Sequence, residues 1–202
     1  MDERETPHER MVRVAGELLY AEGITATGVD RVAEVVGVSK RTLYKHFGSK
    51  DRLVADWLAA LDGRVRALLT THDAALPPSA RLLAVFDAAE EMLRSPQFRG
   101  CPYVNAVGEL ADGDHPARAV AAAHKQALLD WLTATATAAG AGEPAALAQQ
   151  LMVLLDGAMA QRAVLGDRFA FRPVAAAARL LVAAATPGSD RAAASASRSG
   201  GG

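Results

Sequence analysis

Gly37 separates two short runs of apolar residues whose spacing is that of helices. Before it, Val29, Val32, Ala33 and Val36 recur at the i, i+3, i+4, i+7 positions that form one helical stripe; after it, Leu43 and Phe47 stand four apart. Two helices this short cannot bury such narrow stripes against solvent. They must pack on a third element and turn sharply at the glycine, where a residue without Cβ can take a left-handed conformation. A turn of this kind between two short helices is the helix-turn-helix pattern.

The third element lies immediately upstream. Met11, Val14, Ala15, Leu18 and Leu19 form an apolar stripe. Thr6, Pro7 and Glu9 supply a cap, a first-turn proline and the returning carboxylate of a capping box, and Gly23 follows the end. Thr27 and Asp30 read as a T-x-x-D start for the next helix, and Ser39 opens the one after it. Ser49 caps a fourth helix that runs to about residue 71.

Beyond it the pattern stays helical, with expected helices over 79–95, 101–112, 116–139, 143–166 and 173–185. Pro102, Pro116, Pro144 and Pro173 sit in or near first turns, where a missing amide hydrogen costs nothing. No β-alternating run of useful length occurs. The expected fold is therefore all-α, about nine helices: a helix-turn-helix domain over residues 1–50, a helical body over 51–185, and a disordered Gly/Ser/Ala-rich tail over 186–202.

Whole-chain composition says little about partners. The net charge is only −1, with 50% hydrophobic and 22% charged residues, as in ordinary globular proteins. A single cysteine, Cys101, excludes an internal disulfide framework. The charged N-terminus has no secretory pattern, and no apolar run is long enough for a membrane span. A soluble cytoplasmic protein is expected, with alanine and arginine usage hinting at a GC-rich bacterial genome.

Local charge is more informative. Between residues 39 and 52, Lys40, Arg41, Lys45, Lys50 and Arg52 face a single acid, Asp51, with Tyr44 among them. If Leu43 and Phe47 turn inward, Lys40, Arg41, Tyr44 and Lys45 must turn outward. Arginine and lysine there can reach guanine edges in a major groove, while Thr42 and the Tyr44 ring can meet a thymine methyl or a phosphate. Lys50 and Thr27, each at a helix start, suit backbone phosphates. The alternative is an ordinary wet helix whose charges aid solubility; the coincidence of glycine turn, inward pair and basic-aromatic outer face favours DNA.

The run "GITATGVDRVAEVVGVSKRTLYKHFGSKDRLV" resembles the DNA-binding segment of the tetracycline-repressor (TetR) family of bacterial regulators, through T-x-V-x-x-V-A followed by G-V-S-x-x-T-L-Y-x-H-F-x-S-K-x-x-L. The resemblance implies a recognition helix carrying Lys40, Arg41, Thr42, Tyr44, Lys45 and His46, and a phosphate contact at Lys50. It also implies a homodimer on a palindromic double-stranded operator, released by a small apolar or amphipathic effector, with no cofactor.

Two apolar stripes are candidates for the seam of such a dimer: Leu147, Leu151, Leu154, Ala158 and Leu165 on one helix, and Val174, Ala177, Ala178, Leu181 and Ala185 on the last. Both stripes could instead pack within one chain. Phe86, Met92, Phe98, Tyr103, Trp131, Met152 and Met159 are candidate walls of an effector chamber. Cys101, Asn105, Glu109 and Asp112 share a helical face that could line it, hold a metal, or form hydrogen bonds at a helix start with His115 capping before Pro116. The metal is disfavoured by the lack of C-x-x-C or H-x-x-x-H spacing. Two rival functions are weighed: an enzyme using Cys101 with His115 or His124, and an effector-less DNA-binding protein. No phosphate loop or nucleophile elbow supports the first, and a helical body of some 130 residues argues against the second.

Overall fold

The structure, a computed structural model, describes residues 5–70 and 75–187. Among these it is helical throughout: α1 (Pro7–Glu22), α2 (Val29–Val36), α3 (Lys40–Phe47), α4 (Lys50–Thr70), α5 (Pro78–Leu93), α6 (Pro102–Glu109), α7 (Pro116–Ala138), α8 (Pro144–Leu165), a 3-10 turn at Gly166–Arg168, and α9 (Arg172–Ala185). Apart from Thr186 and Pro187, the expected tail lies outside the described residues. No helix among those described is long and apolar enough to cross a membrane.

Contacts divide the chain into two compact units. The first runs to Val65 and takes in Arg99–Lys125; the second comprises Arg66–Phe98 and the chain from Gln126 onward. The helix-turn-helix therefore shares its unit with α6 and the first half of α7, which the sequence assigns to the body.

In the first unit, α1 begins at a complete capping box: the Thr6 hydroxyl accepts from the Glu9 amide, and the Glu9 carboxylate accepts from the Thr6 amide at 2.7 Å. α2 starts one residue later than the sequence suggests. Gly28 occupies its N-cap, and Thr27 turns back, its hydroxyl donating to the Gly23 carbonyl at 2.6 Å. Gly37 ends α2 in the left-handed region (φ 78°, ψ 35°), and the Val38 amide closes onto the Ala33 carbonyl. Ser39 and Ser49 cap α3 and α4 through the amides of Thr42 and Arg52.

Val32 and Val36 of α2, Leu43 and Phe47 of α3, and Leu53, Val54 and Leu58 of α4 are buried together with Met11, Val12, Ala15, Leu18 and Leu19 of α1. Val12 takes the buried place expected of Val14, which is only partly covered. Each leucine or valine so buried stabilises the fold by about 1.5–3 kcal/mol before entropy is charged against it.

In the second unit α5 packs on α8 and α9, and α8 on α9. The core holds Leu82, Val85, Phe86 and Ala89 of α5, Leu128 and Leu132 of α7, Leu147, Leu151 and Leu155 of α8, and Ala178 and Val182 of α9. Arg162 joins the end of α8 to the end of α5, its Nε donating to the Leu93 carbonyl at 2.9 Å.

Part of the expected dimer seam is packed within the single chain. Leu147, Leu151, Ala158 and Ala178 are between 0% and 2% exposed within the single chain. Leu154, Val174, Ala177, Leu181 and Ala185 are partly covered, and of the ten seam candidates only Leu165 is exposed. On α8, Leu147, Leu151 and Ala158 of that stripe face inward. The outer faces carry Val153 and Val164 of α8 and Leu180 of α9, which are 70%, 78% and 73% exposed.

Candidate nucleic-acid interface

α3 is a short helix whose orientation follows from two residues. Leu43 and Phe47 are 3% and 6% exposed, so the rest of its surface must look away from the core. Arg41, Lys45 and His46 stand exposed, and the Tyr44 ring is 44% exposed. The Thr42 hydroxyl lies 2.8 Å from that of Ser39, so it stiffens the first turn. Lys40 is also on the surface, but its ammonium is paired with Asp30 of α2 at 3.0 Å, and this bond raises its pKa. The pair ties the two helices of the motif across the glycine turn.

Two expected phosphate contacts are differently employed. Thr27 is 2% exposed, and both its hydroxyl and its amide are bonded to the Gly23 carbonyl. A buried, satisfied hydroxyl has nothing to offer a phosphate. Lys50 is half-buried with its Nζ donating to the Ile24 carbonyl in the α1–α2 loop. Burial pushes its pKa below that of an ordinary lysine, and Asp51 and Glu109 pull it back. Lys50 is a brace for the loop in this state.

Sequence reasoning missed how α6 and its flanks grip this domain. The Tyr20 hydroxyl donates to the Gly100 carbonyl at 2.8 Å and accepts from the Arg99 amide at 2.7 Å. The Arg99 guanidinium donates to the Tyr20 and Ala21 carbonyls, two of the acceptors that the end of α1 leaves open. At the other end of α6, Glu109 accepts from the Thr25 amide at 2.9 Å. Asn105 donates to the Arg99 carbonyl at 3.0 Å. On the Cys101–Asn105–Glu109 face, Glu109 clasps the loop after α1, while Asn105 holds Arg99 of its own segment. The bonds of Arg99, Gly100 and Glu109 to α1 and the loop after it span about eighty residues of sequence, and no local pattern announces them.

The histidines serve the same unit. His115 Nδ1 accepts from the Ala117 amide at 3.1 Å, capping α7 as the sequence suggests, while Nε2 faces Asp51 of α4 at 3.3 Å. His124 lies 2.6 Å from Asp62 and stacks on Tyr103 at 3.7 Å between ring centroids. Tyr103 donates to the Leu58 carbonyl at 3.2 Å. Tyr103 is therefore core of the first unit. Cys101 is buried there too. Among the described residues, no cluster of three or more His, Cys, Asp or Glu is arranged to hold a metal.

The other expected chamber residues fall in the second unit. Phe86 and Met159 are buried, whereas Met92, Phe98, Trp131 and Met152 are partly exposed.

An all-α chain with a glycine-turned helix pair and a basic-aromatic outer face is a helix-turn-helix DNA-binding protein. Residues 12–56 match the family model of bacterial regulatory proteins of the TetR family, and residues 78–178 match a tetracycline repressor-like C-terminal domain. The chain belongs to the TetR family of bacterial transcriptional regulators. It is similar to a TetR transcriptional regulator (sav143) from Streptomyces avermitilis, with 34% identity and a TM-score of 0.78, covering 89% of this chain and 98% of that one. It is also similar to SCO4454, a TetR-family regulator from Streptomyces coelicolor, with 33% identity and a TM-score of 0.77 over 90% and 94% of the two chains. The HTH-type transcriptional regulator TcmR of Streptomyces glaucescens is 30% identical over 46% of this chain, a match that spans 41% of TcmR.

Proposed function

We propose that this regulator is a repressor that binds a palindromic double-stranded operator as a homodimer and leaves it when a small effector enters the second unit. It acts by binding alone, with no catalytic step. The observation that carries the reading is the outward face of α3, where Arg41, Tyr44 and Lys45 are exposed while Leu43 and Phe47 hold the helix down. One such helix makes too few base contacts to discriminate well, so two copies about 34–36 Å apart, one DNA turn, are needed.

Arg41→Ala tests the face directly. On an operator recovered by selection from genomic DNA, binding weakens by about 1–3 kcal/mol, and binding to unrelated DNA changes little. Equal loss on all sequences, measured by fluorescence anisotropy, would assign Arg41 to phosphate instead.

The exposed Val153, Val164 and Leu180, on two helices that pack on each other, are the apolar residues suited to a dimer seam. Leu180→Arg should yield a monomer in analytical ultracentrifugation with an unchanged helical spectrum and lost operator binding. A dimeric Leu180→Arg protein would move the seam elsewhere.

Effector release follows population-shift logic: a ligand weakens DNA binding only as far as it prefers a state whose recognition helices are wrongly spaced. α4, which follows the recognition helix directly, and the α6 clasp on Tyr20, Ala21 and Thr25 are the elements suited to carry that shift.

A further inference from the structure

Arg81 stands out among the cations of the second unit. It lies in the first turns of α5, and its guanidinium carbon sits 5.6 Å from the ring centroid of Trp131 on α7, within cation–π range. Its Nε is buried and has no hydrogen-bond partner among the described residues. A desolvated guanidinium N–H left unmade is costly, and more so than a neutral donor.

The acids nearby in sequence are committed elsewhere or turned away. Asp130, beside Trp131, accepts from Gln126 at 2.8 Å. Glu90 and Glu91 of α5 both pair with Arg94. Asp87 is exposed, six residues along α5 and so on its other side. Arg162, by contrast, is satisfied by Leu93 and Asp167.

We infer that Arg81 and Trp131 form the recognition point for an organic monoanion, with a carboxylate on the guanidinium fork and a flat apolar body against the indole. A guanidinium pairs with a carboxylate through parallel N–H bonds, and one such group balances one negative charge. A diphosphate or polyanion would call for several cations. The inference deepens the effector reading above, from which it takes only its second readout.

The test uses the full-length protein and three acids, 1-naphthoate, phenylacetate and decanoate, each against its own primary amide. In calorimetry each acid should bind about tenfold or more tightly than its amide. Arg81→Met should bring acid and amide to the same weak level, and Arg81→Lys, which keeps the charge but loses the fork, should fall between. Naphthoate should quench tryptophan emission in the wild type and not in Trp131→Phe, which keeps Trp57 as the remaining emitter.

Equal binding of acid and amide, undiminished acid binding by Arg81→Met, or no acid bound below about 10 mM overturns the site. If Arg81→Met proves misfolded by circular dichroism, the Arg81→Lys and Trp131→Phe results decide alone. Acids that bind through Arg81 without changing operator affinity leave the site standing and remove the effector reading. Wild-type protein that binds no DNA removes the regulator reading, and the calorimetry still decides the site.

Discussion

Leu43→Asp abolishes DNA binding and melts the helix-turn-helix at ordinary temperature. Leu43 is 3% exposed, one of only two buried residues by which α3 is held. A carboxylate at that site must either stay charged without a partner, or take up a proton; the effective cost is several kcal/mol. That is a large part of the about 5–15 kcal/mol that stabilises a typical domain. The loss should appear as reduced helical ellipticity, an earlier thermal transition and no operator shift in anisotropy. A Leu43→Asp protein that stays folded and binds DNA would mean that the opposite face of α3 is the buried one, and Arg41, Tyr44 and Lys45 would lose their role together.

Gly16→Ala is the second large effect, and its sign is the informative part. In an exposed helix alanine is favoured over glycine by about 1 kcal/mol. Here a Cβ on Gly16 would lie 1.9 Å from Cδ1 of Trp57 and 2.2 Å from its Nε1. Trp57 is 6% exposed, so the indole has little freedom to retreat. Overpacking of this kind costs about 1–3 kcal/mol or more, which outweighs the gain in propensity. The melting temperature should fall by about 2–4 °C for each kcal/mol lost. Combining Gly16→Ala with Trp57→Leu should cost less than the two single changes added together, because the clash is shared. A raised melting temperature for Gly16→Ala alone would show that Trp57 does not rest on α1.

The helix starts were legible because their chemistry is local. Thr6 with Glu9, Ser39, Ser49 and the first-turn prolines each act within one turn of the residue that identifies them. His115 before Pro116 was legible on the same grounds. Thr27 misled because a hydroxyl before a helix has two local options. It can accept from the helix amides or donate back to a preceding carbonyl, and the Gly23 carbonyl is the partner it takes. The clasp of Arg99 and Glu109 on α1 and its following loop had no local signal, since its bonds join residues about eighty positions apart.

The outward face of α3 could be read from residues alone because the helix carries so few apolar side chains that only one way of burying them exists. α8 is the opposite case. It has leucines on one side and Val153 and Val164 on the other, so a 3.6-residue period fits more than one face. Which stripe became core was settled by the packing of α5 and α9 on α8, which leaves Leu147, Leu151 and Ala158 buried. The same holds for Arg81. Its charge is plain in the sequence, but its place over Trp131, with a buried Nε that no described residue accepts from, exists only once α5 and α7 are assembled.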